Sequence, residues 1–207
     1  MTSANKILKA LKGHYGEEAF TVSHEEPFRA LIGCILSQRT RDENASRAAI
    51  ALFSVASTPQ QILALEPALL KQLIRPSGYF NQKAKHIIDA SRMIVERFGG
   101  ITPQTRTELL TLPGVGPKTA DIVLSYGFGQ PAIAVDTHIN RVAKRLGLAN
   151  DNASPAEIKI SLEDSLPRID YNYADGAILS IGKEYCKPGR PRCRECPLEQ
   201  VCEKRGV

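Results

Sequence analysis

The chain has 207 residues, of which 43% are hydrophobic and 24% charged, and its formal net charge is +5. This length fits one large domain or two small ones, and the composition is ordinary for a globular protein with a core. No apolar run reaches the ~20 residues of a membrane span, and residues 1–15 do not form a secretory signal. We therefore expect a soluble, intracellular protein whose basic balance weakly favours an anionic partner.

Apolar residues recur at helical spacing along most of the chain. Pro27 begins a run that is apolar almost all round, which predicts a central helix buried on most sides. The best strand candidate, 131–135, is too short to found a sheet. Glycine and proline turns separate the segments, so we predict an all-α protein of about ten short helices. The main helical segments are 1–15, 27–36, 41–53, 81–98, 137–146 and 173–183.

Residues 81–98 show the clearest amphipathic pattern. The face predicted to be buried includes Ile87 and Ile94. Lys83 and Lys85 fall on the opposite, polar face. The pattern therefore predicts that both lysine side chains are exposed to solvent.

A tight turn with the sequence Pro-Gly-Val-Gly joins two predicted helices in the middle of the chain. The first helix is expected to end near Leu112, and the second to begin at Pro117, a favourable first helical residue. The amides of Gly114, Val115 and Gly116, followed by a helix N-terminus, form a site for a phosphate oxygen. Such a hairpin holds a DNA backbone without reading its sequence. A plain connection between two helices is the equally favoured alternative.

Lys118 is the second residue of the helix that follows this turn. A lysine at that position is ordinarily a solvated charge, and there it opposes the helix dipole. The same placement disfavours the ammonium form, and a neutral lysine amine is a nucleophile that forms a Schiff base with a sugar carbon. Lys118 is therefore a candidate catalytic residue.

Asp136 directly precedes the predicted helix 137–146. We expect it to be the N-cap of that helix, because aspartate side chains accept hydrogen bonds from the first helical amides. A second possible role is that of a carboxylate that stabilises an oxocarbenium charge or transfers protons. From the local sequence, the cap alone is the favoured interpretation.

Four of the five cysteines lie in the last 22 residues. Cys186, Cys193, Cys196 and Cys202 have the spacing C-x6-C-x2-C-x5-C. An odd cysteine count argues against a disulfide framework, and four nearby thiolates need a cation. Both zinc and a [4Fe–4S] cluster stay open, because only one pair has the short spacing usual for zinc and the whole is not a common ferredoxin pattern. The fifth, Cys34, is expected to be a core residue.

The cysteine segment is also rich in positive charge. Lys187, Arg190, Arg192 and Arg194 lie between or beside its cysteines. Ligation of a metal would fix this loop and hold its charges in place, which predicts a clamp for DNA phosphates. A solvated surface loop is the alternative.

Together these segments resemble the endonuclease III branch of the helix-hairpin-helix DNA glycosylases. LPGVGPKTA is similar to that family's hairpin, and its catalytic lysine corresponds to Lys118. VDTHINRV is similar to the segment of its catalytic aspartate, which corresponds to Asp136. The four clustered cysteines match the loop of its [4Fe–4S] cluster. The resemblance covers essentially the whole chain, and it favours a catalytic Asp136 and iron–sulfur over zinc.

The resemblance also implies two helical domains. A six-helix domain with the hairpin would span about residues 20–130, and a discontinuous domain with the cluster loop would span residues 1–19 plus 131–207. DNA would cross between them, with Lys118 and Asp136 approaching from opposite sides.

Two further DNA contacts follow from the resemblance. Relatives fill the gap left by an extruded nucleotide with a glutamine, for which Gln38 in LSQRT is the best match and Arg39 the alternative. Relatives also wedge a side chain from a Gly-x-x-Asn-x-Lys loop beside the orphaned base, and GYFNQK places Tyr79 there instead of the usual leucine. Pro117 replaces a basic residue that many relatives have, which removes one phosphate contact.

The implied function is the excision of damaged bases, above all oxidised pyrimidines, from duplex DNA. Cleavage of the abasic strand by β-elimination would follow through a Schiff base on Lys118. Such an enzyme would act as a monomer in the cytoplasm or nucleoid. One alternative is a monofunctional thymine or adenine mismatch glycosylase, against which Lys118 counts. The other is a non-enzymatic DNA-binding scaffold held together by zinc.

Overall fold

The computed structural model describes residues 3–20 and 26–207. These residues form α-helices and short helical turns without any strand, so the predicted all-α fold is confirmed. None of the helices described is both long enough and apolar enough to cross a bilayer. The α-helices are α1 (Ser3–Tyr15), α2 (Pro27–Ser37), α3 (Asp42–Phe53), α4 (Pro59–Ala64), α5 (Pro67–Ile74), α6 (Phe80–Phe98), α7 (Arg106–Leu109), α8 (Pro117–Ile122), α9 (Thr137–Leu146), α10 (Pro155–Ser165) and α11 (Tyr171–Glu184).

The chain divides into two compact units. One consists of Met1–Val22 with Pro131–Val207 and is termed the cysteine unit, and the other consists of Ser23–Gln130 and is termed the hairpin unit. The predicted boundary between residues 19 and 20 lies just before residues 21–25, which are outside the described part of the chain.

The hairpin unit is built around α2, which packs against α3, α6 and α8. Glu26 caps this helix by accepting a hydrogen bond from the Arg29 amide at 3.0 Å, and Pro27 occupies its first turn. The predicted central helix is therefore confirmed. Its buried residues are Phe28, Ala30, Leu31, Ile32, Ile35 and Leu36.

The cysteine unit has its own core, formed by α1, α9, α10 and α11. Helix α9 covers the predicted segment 137–146, and its buried face is the predicted one. Helix α1 begins at Ser3, and residues 1–2 of the predicted segment 1–15 lie outside the described chain. The buried residues of α9 are Ile139, Val142, Ala143 and Leu146.

Two local predictions are wrong. Lys83 is only 3% exposed, because its side chain bonds to oxygen atoms of neighbouring loops that helical periodicity does not register. Helix α7 ends at Leu109 and not near Leu112. The following residues make tighter turns, with the Leu112 amide bonded to the Leu109 carbonyl at 3.1 Å.

Candidate active site and cysteine cavity

The turn between α7 and α8 depends on glycine. Gly114 has φ +80°, a left-handed conformation, and a Cβ at this position would lie 2.9 Å from the His86 side chain. The Val115 amide donates to the Leu112 carbonyl at 3.1 Å, so it is used within the turn. Gly116 is extended and is the N-cap of α8. The turn is thus tight, and its backbone could not hold a larger residue at Gly114 without strain.

Lys118 lies in the first turn of the helix that follows. It is exposed and is the second residue of α8, directly after Pro117. Only six residues of α8 are regular α-helix, and Val123–Gly127 continue it as a π-helical turn. Such π-helical turns are uncommon in proteins as a whole, but those that occur are often found at functional sites. The lysine is therefore presented to solvent at the positive end of a short helix.

An ion pair between a buried carboxylate and a partly exposed arginine joins the two helices of the hairpin. Asp121 in α8 is 2% exposed and accepts a hydrogen bond from Nε of Arg106 in α7 at 2.9 Å. The pair spans the turn, so it fixes the direction in which α8 leaves the hairpin. Neither residue stands out in the sequence, because charged residues on a helix are ordinarily solvent-exposed.

An extended segment, 131–135, leads the chain to Asp136. Within the described residues this segment belongs to no sheet, and side chains of α11 bind its amides. The Ala132 amide donates to Oδ1 of Asn172 at 3.1 Å, and the Ala134 amide donates to Oδ1 of Asp175 at 2.7 Å. These bonds satisfy backbone donors that a neighbouring strand would otherwise pair.

Asp136 is the N-cap of α9, as predicted. Its Oδ1 accepts hydrogen bonds from the amides of His138 and Ile139, both at 2.8 Å. The residue is half-buried. The two bonds fix the orientation of the carboxylate at the positive end of the helix.

The four clustered cysteines line one cavity in the cysteine unit. The cavity is small and partly open to solvent. No three His, Cys, Asp or Glu side chains of the described residues converge as closely as the ligands of a single metal ion. None of the cysteines forms a disulfide. The structure therefore places Cys186, Cys193, Cys196 and Cys202 in the wall of one cavity, without the close convergence of ligands on a single ion.

Two of the four sulfur atoms in this cavity accept hydrogen bonds from nitrogen donors. Nη1 of Arg145 donates to Sγ of Cys186 at 3.4 Å, and the Lys204 amide donates to Sγ of Cys202 at 3.3 Å. Burial raises the pKa of the Cys196 and Cys202 thiols, and the other cysteines raise it further. A bound cation is what makes such thiols ligate as thiolates, and N–H bonds to sulfur are common around iron–sulfur clusters. By residue type the four cysteines suit a thiolate-ligated metal group, although they do not converge as the ligands of a single ion would.

The basic residues around the cysteines are all exposed, but they differ in how they are held. Nζ of Lys187 donates to a backbone carbonyl of α11. Arg192 donates to another carbonyl of α11 at 2.6 Å and pairs with Glu195 at 3.1 Å. Arg190 and Arg194 extend from the same segment on either side of Arg192. The loop therefore has two anchored cations and two that project from it.

Three more of the predicted contact residues lie in two loops of the hairpin unit. Nε2 of Gln38 donates to the Gly114 carbonyl at 2.9 Å, so this side chain is engaged with the hairpin turn. Arg39 is exposed and has φ +52°, and Tyr79 is 61% exposed and has φ +47°. Left-handed backbone is unfavourable for residues that have a Cβ, so neighbouring contacts must hold both residues in place.

Known proteins with similar sequences identify the family of this chain. Residues 32–168 match the family described as HhH-GPD superfamily base excision DNA repair protein. The chain is 46% identical to endonuclease III of Thermotoga maritima over 186 residues, which cover 89% of this chain and 87% of that protein. It is 40% identical to endonuclease III of Bacillus subtilis over 181 residues, which cover 87% of this chain and 83% of that protein.

Solved structures give the same result. A trapped endonuclease III–DNA covalent intermediate, an estranged-adenine complex, has a TM-score of 0.88 at 33% identity, with 99% of this chain and 97% of that chain covered. A thermostable thymine-DNA glycosylase also has a TM-score of 0.88, with coverage of 98% and 96%, but at 22% identity this likeness shows the fold alone. The chain therefore belongs to the endonuclease III branch of the HhH-GPD superfamily of base excision DNA repair proteins, and it is a DNA glycosylase.

Proposed function

We propose that this glycosylase removes oxidised pyrimidines from duplex DNA and then cleaves the abasic strand by β-elimination, with Lys118 as the covalent nucleophile. The observation that carries the proposal is the position of this lysine, exposed on α8 directly after the glycine turn. The similar endonuclease III that was trapped as a covalent DNA intermediate supports the same chemistry.

The proposed reaction begins with attack of the Lys118 amine on C1′ of an extruded nucleotide. The bond between C1′ and the base breaks, and the base leaves with the electron pair and takes up a proton. The amine nitrogen loses a proton, and C1′ then bears both this nitrogen and O4′. The C1′–O4′ bond breaks and O4′ takes up a proton, which opens the sugar ring and forms the Schiff base. This Schiff base acidifies C2′, so loss of a C2′ proton breaks the C3′–O bond and expels the 3′ phosphate. Water then hydrolyses the imine and releases the lysine.

Asp136 is assigned charge stabilisation and proton transfer in these steps. Two hydrogen bonds from backbone amides already orient its carboxylate, so the side chain need not reorganise as positive charge develops on the sugar. The cap of α9 and the proposed catalytic role therefore use the same side chain.

We expect DNA contacts from both units of a protein that acts as a monomer. The amides of Gly114 and Gly116, with the N-terminus of α8, are suited to hold a phosphate. Val115 contributes the shape of the turn, because its amide is used within it. In the cysteine unit, Arg190 and Arg194 are suited to neutralise backbone phosphates.

The four cysteines are proposed as the ligands of a [4Fe–4S] cluster. They line one cavity, and two of their sulfurs accept hydrogen bonds. When bound, the cluster supplies a structural cross-link and takes no part in bond cleavage. The purified protein should then be brown, with broad visible absorption and about four irons per chain. A colourless protein with one zinc would refute this assignment.

Borohydride trapping tests the covalent role, because borohydride reduces a Schiff base to a stable cross-link. The native protein should become linked to an oligonucleotide with an oxidised pyrimidine and should nick it 3′ to the lesion. Lys118→Ala should lower the rates of cross-linking and of strand nicking by about 1000-fold or more. Lys71→Ala, which removes an exposed lysine from the same unit, is the matched control and should change neither.

Two results would refute the covalent role of Lys118: no cross-link with the native protein, or an undiminished one with Lys118→Ala. The same reactions distinguish a monofunctional glycosylase. Such an enzyme would release free base without nicking the strand.

A further inference from the structure

A buried lysine outside the proposed chemistry bonds to two separate loops of the hairpin unit. Lys83 lies in the first turn of α6 and is 3% exposed. Its Nζ donates to the Leu36 carbonyl at 2.7 Å, to the Thr40 hydroxyl at 2.7 Å and to the Ser77 carbonyl at 2.8 Å. The Thr40 hydroxyl in turn donates to the Ser77 carbonyl. One ammonium group thus connects the loop after α2 with the loop before α6.

Each of these two loops contains a residue with left-handed backbone, which is strained for a residue other than glycine. Leu36 and Thr40 enclose Arg39, which has φ +52°, and Ser77 lies two residues before Tyr79, which has φ +47°. Only three residues of the described chain other than glycine have positive φ, and two of them are these. Strained backbone persists only where surrounding contacts over-determine it, and Lys83 supplies such contacts to both loops.

Burial of apolar surface does not explain a lysine at this position. Its three acceptors are two carbonyls and a hydroxyl, and burial lowers the pKa of Lys83 to about 8. An apolar side chain of similar length would avoid the cost of burying an ammonium, but it would leave the Leu36 carbonyl without this donor. What the lysine adds is three directional bonds, which fix the geometry of the loops.

The network reaches the hairpin through Gln38. Its Nε2 donates to the Gly114 carbonyl at 2.9 Å. Lys83 binds a residue on each side of Gln38, so the hairpin turn, the Arg39 loop and the Tyr79 loop form one connected set. In this set the Gln38 side chain is committed to the hairpin, while Arg39 and Tyr79 project into solvent.

We propose that Lys83 is a positioning residue that holds Arg39 and Tyr79 in the relative arrangement needed to enter duplex DNA beside an extruded nucleotide. Arg39, and not Gln38, is then the side chain that fills the gap. This inference rests on the proposed function, because it needs an enzyme that extrudes a nucleotide.

The test compares two duplexes that differ in how hard the lesion is to extrude. In one, the oxidised pyrimidine lies opposite a purine. In the other, it lies opposite an abasic analogue, so no orphaned base is left and extrusion costs less. Lys83→Met should slow single-turnover excision from the first duplex about 10-fold or more, and from the second only about 2-fold. A general loosening of the fold would slow both equally.

Lys85→Met is the matched control. It removes the same charge from the same helix, but the Lys85 side chain is 77% exposed and pairs only at the surface with Asp89 at 3.3 Å. It should leave the ratio of the two excision rates unchanged. If circular dichroism shows that Lys83→Met is unfolded, Thr40→Val replaces it as the test variant. This substitution removes one acceptor of Lys83 and the hydrogen bond to the Ser77 carbonyl at nearly constant side-chain volume.

A selective loss of rate on the duplex with the opposing purine, in Lys83→Met or, failing that, in Thr40→Val, supports the inference, and a selective loss on the other duplex overturns it. A native ratio in the variant that decides overturns it. Native protein that excises from neither duplex would refute the proposed function and this inference with it. Active native protein with an unaltered ratio in the variants refutes this inference alone.

Discussion

At Asp136, the helix and the proposed chemistry need the same carboxylate. Its Oδ1 accepts hydrogen bonds from the two backbone amides, of His138 and Ile139, in the first turn of α9. An asparagine side chain has nearly the same shape and accepts the same bonds, but it does not ionise. Substitution by Asn and by Ala therefore separates the cap from the proposed catalytic role.

Asp136→Asn should change the free energy of unfolding by less than about 0.5 kcal/mol, because Asn is as good an N-cap as Asp. The same change should lower the excision rate about 100-fold or more. Asp136→Ala should show the same loss of rate and also lose about 1 kcal/mol of stability. Denaturant unfolding and single-turnover excision measure the two effects. Native excision rates in Asp136→Asn would leave Asp136 with a capping role only.

The two glycines of the hairpin should respond differently to alanine. Gly114 has φ +80°, and its Cβ would clash with His86, whereas a Cβ at Gly116 would meet nothing within 4 Å. Gly114→Ala should therefore cost about 1–3 kcal/mol of stability and weaken DNA binding. Gly116→Ala, the matched control, should cost less than about 1 kcal/mol. Equal effects of the two variants on unfolding and on fluorescence-anisotropy binding would contradict this account.

At the scale of elements, the hairpin depends on contacts outside its turn. Helix α8 has six residues before its π-turn, and a helix that short is not stable by itself. The ion pair between Arg106 and buried Asp121 joins it to α7 on the other side of the turn. The position of α8, and with it that of Lys118, therefore depends on the ion pair between Arg106 and Asp121.

Removal of Arg106 should destabilise the hairpin. Arg106→Met leaves the buried Asp121 carboxylate without this cation and should cost about 1–3 kcal/mol of unfolding free energy. Arg92→Met is the matched control, because Arg92 pairs with Asp89 at 3.2 Å on the exposed face of α6. It should cost less than about 0.5 kcal/mol in the same denaturation experiment. A loss for Arg106→Met no larger than that of the control would show that the pair does not brace the hairpin.

For the whole molecule, family membership and charge lead to the same class of partner. Membership of a base excision repair family shows that the non-enzymatic scaffold considered from the sequence is wrong. The net charge of +5 alone carried little weight, because many basic proteins bind nothing acidic. What the structure adds is the placement of Arg190 and Arg194 on an exposed loop beside the cysteine cavity.

This placement predicts a specific salt dependence of DNA binding. Arg190→Ala and Arg194→Ala should each lower the slope of log Kd against log salt concentration by about 1, because each phosphate contact releases about one counterion. Arg168→Ala removes an exposed arginine elsewhere in the cysteine unit and should leave the slope unchanged. Titrations of a duplex with a non-cleavable abasic analogue at several salt concentrations measure these slopes. An unchanged slope in both loop variants would exclude the loop as a phosphate clamp.

The sequence by itself determined features that depend on neighbours along the chain. The buried face of α9, the start of α2 at Pro27 and the cap at Asp136 follow from spacing of a few residues, because helix faces and caps join residues that are close in sequence. The cysteine spacing likewise pointed to a single site, and those cysteines do line one cavity.

Only the tertiary structure decided which charged and polar groups are buried and what they bind. Lys83 was expected on a polar face, yet its Nζ donates to the Ser77 and Leu36 carbonyls, 6 and 47 residues away in sequence. Asp121 contacts Arg106, 15 residues away, and Gln38 contacts Gly114, 76 residues away. The free energy of burying a polar group depends on whether the fold brings it an acceptor or a counterion, and periodicity along one helix contains no information about that.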